Sequence, residues 1–277
     1  MQTTIDDFGS ALRWWRTKRR FSQLQLAIEA DVSSRHLSFL ETGKAQPSRE
    51  MVVHLGIVLD LPLRDRNTLL HAAGFAPIYP HSELDAPEMN EVRAVLRTIL
   101  DAHSPNPAVV VDRCGDIVDS NEAGRRLVAM TVRSGSSALG PAPNMNRLTF
   151  HPDGIRNSTE NWNEVAANIL QRLERELTFR PSDQRLRAVL DEMLGYPDLD
   201  GLQRRTGLPT GSDLVAPLRI TTHDGERLEL ITTIATIGAP YDVTLDELRL
   251  ETFFPTDEAT TATLSRWAET SQQTAQR

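Results

Sequence analysis

The reactive side chains of this sequence do not stand at the spacings that catalysis or metal binding requires. Its seven histidines form no H-E-x-x-H pair, and no G-x-S-x-G, Walker or G-x-G-x-x-G motif occurs. Asp112, Asp116 and Asp119 bracket a glycine turn, where carboxylates are ordinary turn residues. Cys114 is the only cysteine, which excludes an intrachain disulfide and a cysteine-rich zinc site. We therefore expect no enzyme activity and no metal.

The side chains with an evident chemical use are the basic and hydroxyl residues near the N-terminus. Between residues 8 and 49, eight Arg or Lys side chains stand against three acidic ones, a net charge of +5. The whole chain carries −8, so the remainder carries −13. A basic segment on an acidic body predicts a polyanion partner for the first part only. Charge alone leaves open that RTKRR, residues 16–20, is simply a solvated helix end.

Helical periods and capping residues place these side chains on short helices. A first amphipathic helix runs into RTKRR, and Ser22 and Ser33 cap the second and third helices. The third helix ends at Gly43, and Pro47-Ser48 and Pro62 begin a fourth and a fifth. Two short helices joined by so tight a turn predict a helix-turn-helix.

The segment from residue 22 to residue 48 reads S-Q-x-x-L-A, then V-S-x-x-x-L-S-x-L-E-x-G, then P-S. This pattern resembles that of the XRE or lambda-repressor-like DNA-binding domain. The resemblance implies that the third helix enters the major groove of double-stranded DNA. The residues expected to contact DNA are Gln23, Ser33, Ser34, Arg35, Ser38, Phe39, Lys44 and Arg49.

The chemistry of these side chains suggests a different task for each group. Arg35 can bind guanine O6 and N7 together, whereas Gln23, Lys44 and Arg49 suit phosphate contacts. Phe39 can press on a thymine methyl or pack against a neighbouring helix, and both interpretations stay open. Because one helix-turn-helix contacts little DNA, we expect a homodimer on a two-fold site.

After residue 76 the apolar period changes. The stretch PAVVVDRCGDIVDS predicts a hairpin that opens onto a helix capped by Asn121, as in a PAS-like domain. Residues 131–157 look like a long loop, residues 159–179 an amphipathic helix, and alternating residues around Asp224-Gly225 a closing hairpin. We predict a multidomain protein with an all-α helix-turn-helix domain and an α+β PAS-like domain containing an antiparallel sheet. The predicted limits are 1–76 for the DNA-binding domain, 77–90 for a linker, and 91–270 for the second domain.

The order of these elements resembles the MmyB-like transcription regulators, in which an XRE domain precedes a PAS-like ligand-binding domain. The matching stretches are HLSFLETGKAQPSREMV, LLHAAGFAPIY, PAVVVDRCGDIVDSNEAG and NRLTFHP. The resemblance implies a repressor or activator whose second domain senses a small-molecule effector. No apolar run approaches the ~20 residues of a membrane span, so we expect a cytoplasmic protein without a membrane partner.

Candidate ligand contacts come from the long helix and the closing strands. The apolar candidates are Trp162, Ile169, Leu173, Leu177, Ile220 and Leu230, and Arg147, Arg172 or Arg175 could hold an acidic head group. For any single one of these apolar residues, plain packing of helix on sheet is the better explanation. A cavity here would take an apolar or amphipathic, fatty-acid-like molecule, and no other cofactor is expected. The alternative is an antitoxin-like or adaptor regulator whose second domain binds a protein.

Overall fold

The computed structural model describes residues 7–180, 183–199, 202 and 217–275, with side chains described up to residue 270. The chain divides into two compact units. The first contains residues up to Glu83 and also Gly238–Asp246, and the second contains Leu84–Ile237 and the residues from Glu247 onward. The chain thus leaves the second unit, contributes nine residues to the first, and returns.

Residues 7–83 form five α-helices, as the sequence predicted. They are α1 (Phe8–Lys18), α2 (Gln23–Glu29), α3 (Ser34–Glu41), α4 (Arg49–Val58) and α5 (Leu63–Ala72). Serine side chains cap three of them: Ser22, Ser33 and Ser48 each accept a hydrogen bond from the backbone N–H three residues later. Leucines close the core of this unit, and Leu12 and Leu37 are inaccessible to solvent.

The second unit is an α+β structure built on a five-stranded antiparallel sheet. Its helices are α6 (Asn90–Ala102), α7 (Glu122–Thr131), α8 (Met145–Phe150), α9 (Trp162–Phe179) and α10 (Gln184–Leu194), and later α12 (Glu258–Ala275). The one-turn helix α11 (Val243–Glu247) precedes α12 in the chain, and all of it except Glu247 belongs to the first unit. The strands are β1 (Ala108–Val111), β2 (Ile117–Ser120), β3 (Leu218–Thr221), β4 (Arg227–Thr236) and β5 (Arg249–Pro255), in the spatial order β2-β1-β5-β4-β3.

One buried asparagine joins the sheet to α7. The Asn121 amide oxygen accepts hydrogen bonds from the backbone N–H groups of Gly124 and Ala108, at 2.8 and 3.0 Å. Its amide nitrogen donates to the carbonyls of Leu100 and Asn106. A Cβ at Gly124 would lie 2.9 Å from the Ala108 carbonyl oxygen, so only glycine allows α7 to approach β1 this closely.

The expected loop over residues 131–157 is wrong in part, because it contains α8. Asn144 caps this helix by accepting a hydrogen bond of 3.1 Å from the backbone N–H of Arg147. The six residues MNRLTF are too few to show a helical period, yet Leu148 and Phe150 are fully buried. Tertiary packing, rather than local sequence pattern, therefore defines α8.

Candidate functional site

The N-terminal end of α3 presents hydroxyl and basic side chains to solvent. Ser33, Ser34 and Arg35 are exposed, whereas Leu37 and Leu40 point into the core. The exposed N-terminal half of this helix is the surface that the sequence assigned to base contacts. Exposed hydroxyl groups and an exposed guanidinium suit an anionic, hydrogen-bonding partner.

The Phe39 ring on α3 contacts two cationic side chains, one on the same helix and one just after its end. The guanidinium carbon of Arg35 lies 5.3 Å from the centroid of the Phe39 ring, and Lys44 Nζ lies 6.0 Å from it. The Lys44 backbone N–H also donates to the Phe39 carbonyl, at 2.8 Å. Ser38 and Phe39 are half-buried. The ring holds two of the predicted DNA-contacting cations on one surface through cation–π contacts.

The other two predicted phosphate contacts have partners of their own. Gln23 Nε2 donates a hydrogen bond of 2.8 Å to Glu41 Oε2, and the same carboxylate accepts two bonds from Arg16. Glu41 is buried, so Gln23 is anchored to an internal ion pair at the N-terminus of α2. Arg49 is exposed, with its guanidinium carbon 5.6 Å from the centroid of the Phe75 ring.

The second unit contains a cavity of about 430 Å³ between the sheet and helices α7, α8 and α9. Its walls are mainly apolar. The apolar lining residues include Val109, Leu127, Val128, Met145, Leu148, Val165, Ile169, Leu218, Ile220 and Phe253. The polar ones are Ser120, Arg125, Thr131, Thr149, Asn168, Arg172, Thr232 and Glu251.

Helix α9 presents two different faces, and only one of them lines the cavity. Val165, Asn168, Ile169 and Arg172 recur at intervals of three and four residues and line it. Leu173 and Leu177 belong instead to a core cluster shared with α10. The candidate ligand contacts on this helix, Ile169, Leu173 and Leu177, therefore lie on two different faces.

The structure brings together three of the nine candidate ligand contacts, Ile169, Arg172 and Ile220. The apolar remainder lies elsewhere. Trp162 packs edge-on against Phe150, and its indole N–H donates to the Thr149 carbonyl at 2.8 Å. Leu173 and Leu177 face α10, and Leu230 is fully buried in the sheet core.

Arg147 does not line the cavity, because its guanidinium is bound to a carboxylate outside it. Arg147 Nε and Nη2 donate to the two Glu192 oxygens, at 2.7 and 3.1 Å. This interaction holds the pKa of Glu192 below its usual value. Tyr196 donates to the same carboxylate, and burial together with that bond raises the pKa of Tyr196 to about 12. Arg175 is exposed and likewise does not line the cavity.

Glu251 is a lining residue that was not predicted from the sequence. Glu251 lies on β5, pairs with Val109 of β1 and Ile234 of β4, and is 5% exposed. Its carboxylate accepts a hydrogen bond of 3.3 Å from Arg172 Nη1. The alternation of the strand could have revealed it, since Glu251 and Phe253 are two residues apart and therefore share a face.

One cluster outside the cavity contains the residue types of a hydrolase triad. Ser137 Oγ lies 3.2 Å from His151 Nε2, and the Asp153 backbone N–H donates to His151 Nδ1 at 3.0 Å. Because Nδ1 accepts this bond, the proton of the neutral ring lies on Nε2, which then faces Ser137 as a donor. A general base must accept the serine proton, so this geometry does not activate Ser137.

Among the residues that the structure describes, His, Cys, Asp and Glu side chains nowhere gather in threes around a potential metal position. None of the helices in those residues has the length and apolar character needed to cross a membrane.

Comparison with known families decides the assignment. Residues 92–266 match the model of the MmyB-like transcription regulator ligand binding domain, and residues 7–69 match that of a helix-turn-helix domain. The chain belongs to the MmyB-like transcription regulators. As a member, this MmyB-like protein is a DNA-binding transcription regulator with a ligand-binding domain. The helix-turn-helix domain lies in the first unit, and the ligand-binding domain lies in the second except for residues 238–246.

No curated protein matches the MmyB-like chain. Among solved structures it is similar to "Structure of an RNA-binding Light-Oxygen-Voltage Receptor", with 12% sequence identity and a TM-score of 0.27. That alignment covers 95% of this chain and 66% of the receptor chain, so the chain spans slightly less than two thirds of it.

Proposed function

We propose that this regulator binds a two-fold DNA site as a cytoplasmic homodimer, and that an apolar or amphipathic, fatty-acid-like molecule in the cavity changes its DNA affinity. The second unit would act as a PAS-like sensor domain. The observation that carries the proposal is the cavity itself, whose walls are mainly apolar and include a few polar side chains.

The size and composition of the cavity support a small-molecule ligand. Its volume of about 430 Å³ lies within the roughly 300–1,000 Å³ that is typical of small-molecule sites. Leu127, Leu148, Leu218 and Phe253 are buried lining residues, so they favour a hydrocarbon portion over water. Burial of each methylene group contributes about 0.8 kcal/mol.

The polar lining residues indicate where the head group of an amphipathic ligand would lie. Asn168 and Arg125 are exposed and Arg172 is partly exposed, whereas Leu148 and Phe253 are buried. A ligand oriented with its tail inward would therefore place its polar end beside Arg172. Such a ligand regulates only if it binds one conformation of the protein better than another.

The surface of α3 supports the DNA-binding part of the proposal. Arg35 and Lys44 are both exposed, and both contact the Phe39 ring, which fixes them on one surface. We assign Arg35 to a guanine edge, and Gln23, Lys44 and Arg49 to phosphates. Ser33, Ser34 and Ser38 would supply the remaining hydrogen bonds.

The alternative, an antitoxin-like or adaptor regulator, would need an apolar face open to a protein partner. In the described part of the second unit, the large exposed apolar side chains are Val95, Phe179, Ile234 and Phe254. They lie on four different elements, α6, α9, β4 and β5, and Ile234 lines the cavity. This distribution favours a small molecule over a protein surface.

Extraction of the purified protein tests the proposal. The full chain and two matched variants would be denatured, extracted with organic solvent, and analysed by mass spectrometry. Val165→Phe adds a ring inside the cavity, whereas Val95→Phe makes the same change on the exposed side of α6. We expect one stoichiometric lipophilic compound from the wild type and from Val95→Phe, and much less of it from Val165→Phe.

Two results would count against the proposal. Equal amounts of the compound in both variants would place it outside the cavity. If no compound is recovered, the same three proteins would be titrated with dodecan-1-ol and dodecanoate, and absence of binding to the wild type would overturn the sensor function.

A further inference from the structure

Glu251 is an acidic residue in a cavity whose walls are otherwise mainly apolar. It lies near the middle of β5, two residues before Phe253, and both side chains line the cavity. Only 5% of Glu251 is exposed. Burial of a carboxylate is costly unless hydrogen-bond donors replace the water that it loses.

The described hydrogen bonds of Glu251 replace little of that water. An ionised carboxylate can accept about four hydrogen bonds. The bond recorded for Glu251 is the one from Arg172 Nη1, at 3.3 Å. This is longer than the roughly 2.7–2.9 Å of a strong charge-assisted bond.

Glu41 in the first unit shows how this chain satisfies a buried carboxylate elsewhere. Its side chain is 2% exposed and accepts three hydrogen bonds, two from Arg16 and one from Gln23. The longest of the three is 3.1 Å. By comparison, the Glu251 carboxylate can still accept further hydrogen bonds, and Glu251 lines the cavity.

Each of the two cations that line the cavity is already paired with a carboxylate. Arg172 is paired with Glu251. Arg125, the other lining cation, donates to Glu122 at 2.9 and 3.2 Å. A ligand carboxylate beside Arg172 would therefore also approach the Glu251 carboxylate, and the repulsion between them is strong where water is scarce.

We propose that Glu251 selects ligands whose polar end donates a hydrogen bond, such as an alcohol or an ammonium group, over ligands that end in a carboxylate. This inference rests on the proposed function. It changes the fatty-acid-like ligand proposed there to one whose polar end is a hydrogen-bond donor instead of a carboxylate. The donor supplies the bond that Glu251 lacks and leaves the Arg172–Glu251 pair intact. An acid would have to break that pair or bind beside a like charge.

Two probes of equal chain length test this selectivity in the full-length protein. Dissociation constants would be measured at pH 7.5 for dodecan-1-ol and for dodecanoate, with the wild type, Glu251→Gln and Glu229→Gln. Glu251→Gln keeps the side-chain shape but removes the charge, which leaves Arg172 free for an acid. Glu229 lies on β4, pairs with Arg219 and does not line the cavity, so it provides the matched control.

We expect the wild type and Glu229→Gln to bind the alcohol roughly tenfold more tightly than the acid, or better, and Glu251→Gln to lose most of that preference. The wild-type ratio alone decides the case if Glu251→Gln fails to fold. If the wild type binds dodecanoate as tightly as the alcohol, or if Glu251→Gln keeps the preference, the inference is overturned and the sensor function stands. Binding of neither probe by the wild type would overturn both.

Discussion

Asp246 Oδ2 accepts a hydrogen bond of 2.9 Å from the backbone N–H of Leu63, the first residue of α5, across 183 residues of sequence. Pro62, at the N-cap position of this helix, supplies no side-chain cap. The segment around Asp246 also bonds to the chain before it, since Val243 N–H donates to the Pro80 carbonyl at 2.8 Å. The first unit is therefore completed by residues from between β4 and β5.

Removal of this cap should destabilise α5. We expect Asp246→Ala to lower the free energy of unfolding of the first unit by about 1 kcal/mol, the usual value of an N-cap. Asp246→Asn keeps an acceptor oxygen and should cost less. Hydrogen exchange of the α5 amides in the full chain measures the effect. Unchanged exchange in Asp246→Ala would show that the bond contributes nothing.

Arg35 and Lys44 should differ in what they contribute to DNA binding. A DNA site would first be selected from random sequences with the wild-type protein. We expect Arg35→Ala to lose about 1–3 kcal/mol of discrimination at one base pair, because a bidentate guanine contact is lost. Lys44→Ala should weaken binding to all sequences alike and lower the slope of affinity against salt by about one.

Fluorescence anisotropy with the selected site, single-base variants of it, and a series of salt concentrations distinguishes the two effects. If Arg35→Ala weakens all sequences equally, Arg35 contacts phosphate and the proposed base contact is wrong.

The Arg147–Glu192 pair predicts a dependence of stability on pH. The hydrogen bond from Arg147 lowers the pKa of Glu192 in the folded protein below its usual value of 4.5. The stability from this pair is therefore complete above pH 4.5 and is lost as the pH falls through the lower, folded pKa. Because both side chains are partly exposed and water screens the interaction, the effect should be small.

Urea unfolding of the wild type and Glu192→Gln at pH 7 and at pH 3 checks this. The wild type should be the more stable protein at pH 7, and the difference should shrink at pH 3. A difference that grows at pH 3 would contradict the assignment.

Cys114 should be unreactive in the folded protein. Its side chain is buried, and burial raises the pKa of the thiol above its usual value. A thiol reagent that requires the thiolate should therefore react slowly at pH 7.5 and rapidly after denaturation. Equal rates before and after denaturation would show that the thiol is accessible.

The five helices of the first unit could be predicted because each has local signals. Three of these helices begin at a serine whose side chain accepts a hydrogen bond from the backbone N–H three residues later: Ser22, Ser33 and Ser48. The capping residue and the helix start that it marks therefore lie within one turn of each other. The overall character of the second unit also followed from alternation along its strands. The cap that Asp246 gives to α5 was invisible, because no sequence pattern links positions so far apart.

The candidate site in the second unit was predictable only in part. Helical spacing identified α9, but the helix is apolar on more than one side, and the sequence does not say which side meets the sheet. Ile169 and Arg172 consequently line the cavity while Leu173 and Leu177 face α10. Glu251 was missed because an acidic residue in a strand is usually exposed to solvent.

Occupancy of the cavity should change the affinity of the protein for DNA, and one titration measures this coupling. The dissociation constant for the selected DNA site would be measured with the wild type and Val165→Phe, each with and without saturating dodecan-1-ol. Binding of the alcohol would be verified in the same samples. We predict a change of about fivefold or more in the wild type and none in Val165→Phe. If the wild-type protein binds the alcohol and its DNA affinity stays unchanged, a ligand in the cavity does not regulate DNA binding.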